Sequence, residues 1–326
     1  MKTMVLAAGL GTRLQPITYE MPKPMAPVLN RPVMEHIVAL LRRHGFEELI
    51  ANLSHLPEQI RDHFGDGSDY GVSLSYSFEE ELLGTAGGVR NVAESLGEGS
   101  FLVISGDALT DLDLSALRAA HEANDGIATL TLKRVPYPSE YGVVISGSDG
   151  RIQGFQEKPD RAEALSDLAS CGIYMFEREI FDYFPERPFV DWAMDVFPVL
   201  LEGDVPMYGH EIDAYWNDVG SLDELRQGNF DALAGAVGVD HGAEQVREGV
   251  FAARGAAVPE NAEIEPPVLI GAGAEIEPEV SLHGPIVIGE GCRIGRGAWL
   301  ERAVLLARTE VPAGTILVEA IAARRG

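Results

Sequence analysis

The first candidate for chemistry is a glycine-rich stretch near the N-terminus, LAAGLGTRLQPITYEMPKPM, which spans residues 6–25. Gly9 and Gly11 lack a Cβ, so backbone N–H groups beside them can approach a phosphate closely, and Arg13 adds a forked pair of donors. Lys23 lies between two prolines, which stiffen the backbone on both sides of it. No GKS or GKT sequence follows the glycines, so the stretch is not a P-loop. It predicts a phosphate-binding loop with two cations; the alternative is an ordinary turn with a solvated lysine.

Two aspartates that are far apart in the chain are candidates for chemistry at a phosphate. Asp107 follows the apolar run FLVIS, which places it at the carboxyl edge of a sheet, where a Mg²⁺ that bridges phosphate oxygens would bind. Its alternative role is to cap the next helix, but Asp111 or Asp113 is better placed for that. Asp218, in the motif WNDVG, is a second candidate carboxylate from far along the chain. The alternative is that Asp218 is a solvated aspartate in a loop. Asp107 is therefore a predicted magnesium ligand.

The elements that must position these residues alternate along the chain from Lys2 to about Gly228. Short apolar runs such as MVLA (4–7) alternate with helical patterns such as VMEHIVALLRRHG (33–45), which is typical of a mostly parallel α/β sheet. The run at 4–7 is short and wholly apolar, so it predicts a buried first strand. The glycine-rich stretch then lies at the carboxyl end of that strand, where open α/β sheets bind ligands.

The C-terminal part of the chain carries an internal repeat with a period of six residues. Every sixth position is Ile or Leu at Ile270, Ile276, Leu282, Ile288, Ile294, Leu300 and Leu306. Two residues earlier stand Val268, Ala274, Val280, Ile286, Cys292, Ala298 and Val304. Such a period predicts a parallel β-helix in which each unit forms one flat side of a coil. The alternative is a set of antiparallel strands with accidental spacing.

These patterns divide the chain into three segments. Residues 1–232 are predicted to form the α/β domain and residues 268–326 a small β-helix whose role is packing or assembly. Between them, residues 233–267 lose strong periodicity and gain Ala, Gly and acidic residues, which is typical of a linker.

Composition excludes several classes of function. The formal net charge of −26 over 326 residues would repel nucleic acid and anionic membranes. No apolar run approaches the roughly 18 residues of a membrane span, and we expect no signal peptide and a cytoplasmic location. Cys171 and Cys292 have neither CxxC nor Cys/His spacing, so we expect both to be small buried residues rather than a disulfide or zinc ligands.

The glycine-rich stretch, with MPKPM after it, resembles the signature of the nucleoside-diphosphate-sugar pyrophosphorylases, which join a sugar 1-phosphate to a nucleotide. Four further motifs resemble that family in chain order: LGTAGGV (83–89), SGDALTD (105–111), EKP (157–159) and WNDVG (216–220). The repeat is similar to the left-handed β-helix of the two-domain members. The resemblance implies a Rossmann-like sheet domain followed by a small left-handed parallel β-helix of hexapeptide repeats.

The resemblance also implies roles for individual residues. Asp107 and Asp218 would jointly hold Mg²⁺, Lys158 would bind the phosphate of the sugar 1-phosphate, and Glu157 the sugar hydroxyls. The implied catalytic residues are Arg13, Lys23, Asp107, Lys158 and Asp218. The nucleotide would contact Leu6, Ala7, Ala8, Gly9, Gly11, Thr12, Arg13, Glu81, Gly84 and Thr85. The sugar phosphate would contact Gly142, Glu157, Lys158 and Gly172.

The nucleobase and the sugar are less well determined. The acidic run at 79–81 precedes LGTAGGV, and a carboxylate can accept from two donors of guanine, although such a run is often only a solvated face. Overall likeness favours the members that use GTP and mannose 1-phosphate. The alternatives are a glucose-1-phosphate thymidylyl- or uridylyltransferase. Ser170 stands where the family more often has Asn, which puts a hydrogen bond to the sugar there in doubt.

Two further classes of function compete with this one. Hexapeptide β-helices also form acyltransferases that use coenzyme A, but these need more coils, and His283 is the only histidine inside the repeat. A non-catalytic homologue that binds a sugar nucleotide would not need both metal carboxylates. We therefore expect an enzyme whose partners are an NTP and a sugar 1-phosphate, and a homo-oligomer formed through the β-helix.

Overall fold

A computed structural model describes residues 1–259 and 261–324. Residue 260 of the predicted linker and residues 325–326 of the predicted β-helix domain lie outside the described residues. The chain packs into two compact units. The first comprises Met1–Leu10, Pro22–Pro24 and Ile37–Trp216. The second comprises Gly11–Met21, Met25–His36 and the chain from Asn217 onward.

The helices follow the amphipathic patterns of the sequence, and the first covers the predicted run VMEHIVALLRR. Helices α1 to α7 span Val33–Arg43, Pro57–Phe64, Gly84–Asn91, Ala93–Leu96, Leu114–Glu122, Phe197–Glu202 and Leu222–Leu233. Asp113 caps α5, because its carboxylate accepts from the backbone N–H groups of Ser115 and Ala116. None of the helices within the described part of the chain is long and apolar enough to cross a membrane.

The large sheet of the first unit has a parallel half and a mostly antiparallel half. Strands β1 to β13 span Lys2–Leu6, Pro27–Val28, Arg31–Pro32, Glu48–Leu53, Ser73–Phe78, Phe101–Ser105, Leu109–Thr110, Ala128–Arg134, Gly142–Ser146, Ile152–Glu157, Leu168–Phe176, Met207–Glu211 and Trp216–Asn217. The strands of the large sheet lie in the order β10-β9-β11-β6-β1-β4-β5, with β8 beside β11 and β12 beside β8. Strands β2, β3, β7 and β13 are not part of it. The run β6-β1-β4-β5 is parallel, and β11 is antiparallel to β6, β8 and β9.

The apolar first strand was predicted correctly. Met4 and Val5 of β1 are fully buried, as expected for a central parallel strand with both faces covered. Leu6 of β1 pairs with Ser105 of β6, so the residues after both strands emerge at one carboxyl edge of the sheet. That edge therefore carries both Ala7–Gly9 and Asp107.

The second unit contains the β-helix that the six-residue period predicted. Strands β14 to β26 span Glu244–Arg247, Val250–Ala252, Glu263–Glu265, Val268–Ile270, Glu275–Ile276, Ser281–His283, Ile286–Ile288, Arg293–Ile294, Trp299–Glu301, Val304–Leu305, Glu310–Val311, Ile316–Val318 and Ile321–Ala322. Apart from the β14–β15 pair, they stack as parallel strands in three sheets. Partners in successive coils, such as Val268 with Ile286, are three hexapeptides apart. The aliphatic positions from Ile270 to Leu300 fill the core of the coil.

The last coil departs from the predicted register. Ile288 pairs with Leu305, so this coil is one residue shorter than those before it. Ala303 and Leu305 fill the core there, so the core positions lie one residue before Val304 and Leu306, which the six-residue count selects. The chain turns at Arg302, which has a φ of +48°. Because residues 305 and 306 are both leucine, the six-residue count still meets a leucine at Leu306, although Leu305 is the one in the core.

The coil also begins earlier than predicted. β15 pairs with β17, and β16 pairs with β19, although β15 and β16 lie within the segment that we predicted to be a linker. Val250 and Ala252 belong to the same buried core as the later coils. Cys292 is buried in this core, and Cys171 is buried in the first unit; both are free thiols, as expected.

An N-terminal segment of the second unit packs on α7. The buried side chain of Asn229 accepts from the N–H of Leu29 at 2.9 Å and donates to the carbonyl of Pro27 at 3.0 Å. Asn30 donates to the carbonyl of Ile288 in β20 at 2.9 Å. Residues 25–36 are thereby bonded to both the helix and the coil.

Candidate active site

The glycine-rich stretch begins directly after β1. Gly9 is exposed, and a Cβ placed on it would have no atom within 4 Å, so packing does not require glycine there. Gly11 has a φ of +61°, the left-handed region that favours glycine, and its carbonyl accepts from the Thr18 hydroxyl at 2.9 Å. Thr12 and Arg13 lie in the short 3₁₀ turn that follows, and both are exposed. The space beside the Cα of Gly9 is therefore open, which is consistent with a ligand that lies close to the backbone there.

Each predicted metal carboxylate lies beside one of the predicted cations. In the first unit, Lys23 Nζ lies 2.8 Å from Asp107 Oδ2, and the side chains are 12% and 22% exposed. In the second unit, Arg13 Nη2 lies 3.6 Å from Asp218 Oδ2, and Arg13 is 59% exposed. Lys23 is therefore not a solvated surface lysine, whereas the side chain of Arg13 is mostly exposed and accessible to an anion.

Two motifs that contain predicted site residues also contain strained backbone. Lys158 in EKP and Val219 in WNDVG have φ values of +44° and +43°, which are uncommon for residues with a Cβ and most unusual for a β-branched one. Gly220 follows Val219, and a Cβ on it would lie 2.8 to 3.0 Å from Asp218 Oδ2 and the Arg13 guanidinium. Glycine at this position thus makes room for the Arg13–Asp218 pair, a role that the sequence reading missed.

A cavity of about 600 Å³ opens in the first unit. The predicted site residues that line it are Leu6, Thr85, Gly142, Glu157 and Gly172. Its size suits a small-molecule ligand. A Cβ on Gly142 would lie 3.1 Å from Glu157 Oε2, and one on Gly172 would lie 3.2 Å from Ser105 Oγ. Both glycines therefore allow neighbouring side chains to lie close to the backbone at the cavity wall.

The cavity is also lined by residues that sequence reasoning did not assign. They are Ser105, Val143, Phe155, Gln156, Ser170, Tyr174, Asp191, Trp192, Ala193, Met194, Phe197, Pro198 and Leu201. Ser170 Oγ lies 3.1 Å from the hydroxyl of Tyr174, and burial raises the pKa of that phenol, so it stays neutral and keeps its proton. Two hydroxyls thus lie together at the cavity wall.

One wall of the cavity is bonded to the LGTAGGV motif. The Thr85 hydroxyl donates to Asp191 Oδ2 at 2.7 Å and accepts from the N–H of Trp192 at 3.1 Å. Asp191 Oδ1 accepts from the N–H groups of residues 193 and 194, which caps the turn that forms the wall. The only sequence signal for this wall is an Asp before the run WAMDVFP, and that signal is typical of any capped helix.

The glycines of LGTAGGV are required for packing inside the protein, in addition to the predicted close approach of their backbone to a nucleobase. Val190 accepts at its carbonyl from the N–H groups of Ala86 and Gly87, each at 2.9 Å, and donates to the carbonyl of Leu83 at 2.8 Å. Gly84 has a φ of +80°, and a Cβ on it would collide with Val190. A side chain at Gly84 would therefore displace Val190, which directly precedes Asp191 and Trp192 of the cavity wall.

The acidic run before this motif is not uniform. Glu79 is 3% exposed, and its two carboxylate oxygens accept from Asn52 and from the N–H of Leu83. Glu80 and Glu81 are exposed. The carboxylate of Glu79 therefore has bonds inside the protein, and the predicted nucleotide contact at Glu81 stays a prediction.

The chain matches the family described as Nucleotidyl transferase over residues 2–235. A UTP–glucose-1-phosphate uridylyltransferase of Synechocystis sp. is 40% identical over 98% of this chain and 86% of that protein. A mannose-1-phosphate guanylyltransferase of Mycobacterium tuberculosis is 34% identical over 96% of this chain and 82% of that protein.

Solved structures agree with this match. A putative glucose-1-phosphate thymidylyltransferase from Bacillus anthracis superposes with a TM-score of 0.65 at 25% identity, over 74% of this chain and 96% of that one. HddC from Yersinia pseudotuberculosis superposes with a TM-score of 0.60 at 22% identity, over 70% of this chain and 97% of that one, which shows a shared fold.

Proposed function

The chain belongs to the nucleotidyl transferase family, among the sugar-1-phosphate nucleotidyltransferases, and on that premise we propose that its substrates are an NTP and a hexose 1-phosphate. The observation that carries the proposal is the cavity in the first unit, which brings together Leu6, Thr85, Gly142, Glu157 and Gly172 from five separate stretches of chain. Two of these were assigned to the nucleotide and three to the sugar phosphate.

The reaction needs little acid–base chemistry. A sugar 1-phosphate is largely dianionic near pH 7, since its second pKa is about 6, so a phosphate oxygen is a ready nucleophile. That oxygen forms a bond to the α-phosphorus of the NTP while the bond from the α-phosphorus to the bridging oxygen breaks, and pyrophosphate leaves with the electron pair. We assign charge neutralisation on the triphosphate to Arg13 and Lys23, and binding of the sugar phosphate to Lys158.

The carboxylates assigned to a metal fit Mg²⁺ in their chemistry. Asp107 and Asp218 offer hard oxygen ligands, each on a side chain that is about a fifth exposed. Within residues 1–259 and 261–324, no group of three or more His, Cys, Asp or Glu side chains could hold a metal ion. When bound, Mg²⁺ would neutralise phosphate charge and favour departure of pyrophosphate.

For the substrate pair, we propose UTP with glucose 1-phosphate as the first candidate. The relative named for that pair is 40% identical to nearly the whole chain. GTP with mannose 1-phosphate, which the sequence resemblance favoured, is the second candidate, supported by the relative from M. tuberculosis. The acidic run supports guanine less than we expected, because the carboxylate of Glu79 already accepts two hydrogen bonds.

A grid of four NTPs and dTTP against glucose, mannose and galactose 1-phosphates, with Mg²⁺, tests the proposal. Pyrophosphate release identifies active pairs, and mass spectrometry of the product identifies the nucleotide sugar. We expect the highest kcat/KM with UTP and glucose 1-phosphate. A protein that binds a nucleotide sugar but releases no pyrophosphate with any pair would instead be the non-catalytic homologue.

We also propose that the chain forms a homo-oligomer through the coil. One outer face of the coil exposes Trp299 by 39%, Ile316 by 71% and Val318 by 51%. Clustered apolar residues on a surface are typical of a protein contact. The proposed occupant of this face is a second copy of the chain.

A further inference from the structure

A buried hydrogen-bonded bridge joins the ends of three neighbouring strands of the first unit. Asn52, near the end of β4, is 4% exposed, and Glu79, directly after β5, is 3% exposed. Asn52 Nδ2 donates to Glu79 Oε1 at 2.8 Å. On one side, Asn52 Oδ1 accepts from the N–H of Ala7 at 2.8 Å, and on the other, Glu79 Oε2 accepts from the N–H of Leu83 at 3.0 Å.

The bridge begins where the β-ladder ends. Leu6 and Asn52 are the last residues paired between β1 and β4, so Ala7 is the first residue beyond that ladder. The side chain of Asn52 supplies the bond that the ladder no longer provides. At the far end, the bridge fixes Leu83, which starts LGTAGGV. The bridge thus connects the two stretches of chain to which most of the nucleotide contacts were assigned.

The geometry leaves little freedom in the bridge. Both side chains are buried, and a buried carboxylate or amide that loses a partner costs free energy, so neither side chain moves without penalty. A Cβ on Gly88 would lie 2.6 Å from Glu79 Oε1 and 2.7 Å from Asn52 Nδ2. The backbone of α3 therefore packs directly against the two side chains. Neither residue lines the cavity, but Leu6 and Thr85, which do, are one and two residues from the bonded N–H groups.

We propose that Asn52 and Glu79 are positioning residues that hold the two nucleotide-binding stretches at a fixed separation, so that the NTP binds without rearrangement of the backbone. The inference rests on the proposed function. Its chemistry is specific: one carboxylate accepts two hydrogen bonds, and one amide accepts one and donates one.

An exchange of the two functional groups tests this chemistry. Glu79→Gln leaves an amide N–H₂ facing a donor, and Asn52→Asp leaves two carboxylates facing each other. In the double variant, Asp at 52 accepts from Ala7 and from the new glutamine, whose oxygen accepts from Leu83. Every bond of the bridge is then restored with the groups exchanged. We expect each single change to raise KM for the NTP about tenfold or more, and the double variant to return it to within about threefold of the parent.

Thr129→Val is the matched control, since it removes a buried hydrogen bond of the same unit, between Thr129 Oγ1 and His121 Nδ1 at 2.8 Å. We expect it to lower the melting temperature but leave KM for the NTP unchanged. A double variant that folds yet keeps a raised KM would overturn the inference, because the carboxylate of Glu79 would then be needed in itself, as in direct contact with the base. Single variants that fold with unchanged KM would also overturn it. If they do not fold, the double variant decides alone. A parent protein that forms no nucleotide sugar with any substrate pair would contradict the proposed function instead.

Discussion

Side chains at the carboxyl edge of the sheet in the first unit have individual partners, whereas those inside the coil of the second unit repeat one contact from turn to turn. At the edge, Lys23 pairs with Asp107, and Thr85 bonds to Asp191. In the coil, Leu282 stacks on Leu300, which in turn stacks on Leu317. Changes at the edge should therefore alter turnover with little effect on stability, and changes inside the coil should do the reverse.

The largest expected effect is the loss of a metal carboxylate. Asp107→Asn and Asp218→Asn each remove a charge that we assign to Mg²⁺, which is worth several kcal/mol in the transition state, so kcat should fall about a thousandfold or more. Thermal unfolding should change little. Asp113→Asn is the control, because asparagine caps α5 as well as aspartate does and turnover should be normal. Near-normal turnover of both variants at saturating Mg²⁺ would refute the metal assignment.

A change inside the coil should give the opposite result. Leu282 is fully buried there, and Leu282→Ala should destabilise the second unit by about 2–5 kcal/mol, since it removes packed methyl groups and leaves a cavity. Turnover at a temperature where the protein stays folded should be unchanged. Calorimetry and steady-state kinetics measure the two effects, with Ser281→Ala, the outward-facing neighbour, as control. A large loss of kcat without loss of stability would show that the coil contributes to the site.

How far the sequence predicted each region follows from the same contrast. In the coil, one contact recurs every six residues, so the period alone predicted the fold. The predicted register failed only in the last coil, which is one residue shorter and places Leu305 instead of Leu306 in the core. The strands within 233–267 were missed because Ala, Gly and acidic residues mask the repeat there.

At the sheet edge, nothing repeats. The motifs predicted site residues in several separate segments, and of these Leu6, Thr85, Gly142, Glu157 and Gly172 line one cavity. Asp191 could not be predicted, because its contact with Thr85 joins segments that are distant in the chain. For the same reason, no pattern indicated that Asn52 and Glu79 are partners.

Variants of two lysines should distinguish binding of the sugar phosphate from stabilisation of the leaving pyrophosphate. Lys23 is 12% exposed and paired with Asp107, and we assign it to the leaving pyrophosphate, whose charge grows as the bond breaks. Lys23→Ala should therefore lower kcat, by about ten- to a hundredfold, more than it raises either KM. Lys158→Ala should mainly raise KM for the hexose 1-phosphate. Lys2→Ala, at the start of β1, is the control. Equal effects of the two lysine changes on kcat and both KM values would mean that these roles are misplaced.

The smallest expected effect on the single chain, and the one that bears on assembly, lies on the outer face of the coil. Ile316 is 71% exposed, so Ile316→Glu should change the stability of a single chain by less than about 0.5 kcal/mol and leave kcat per chain unchanged. If a second copy covers this face, the new carboxylate would be buried against Trp299 and Val318, and burial of a charge without a partner is unfavourable. Light scattering should then report a smaller species for the variant than for the parent. Val246→Glu places the same charge on another exposed apolar position of the second unit, half exposed on β14, and should leave the mass unchanged. An Ile316→Glu protein with the mass of the parent would remove this face from the contact between copies.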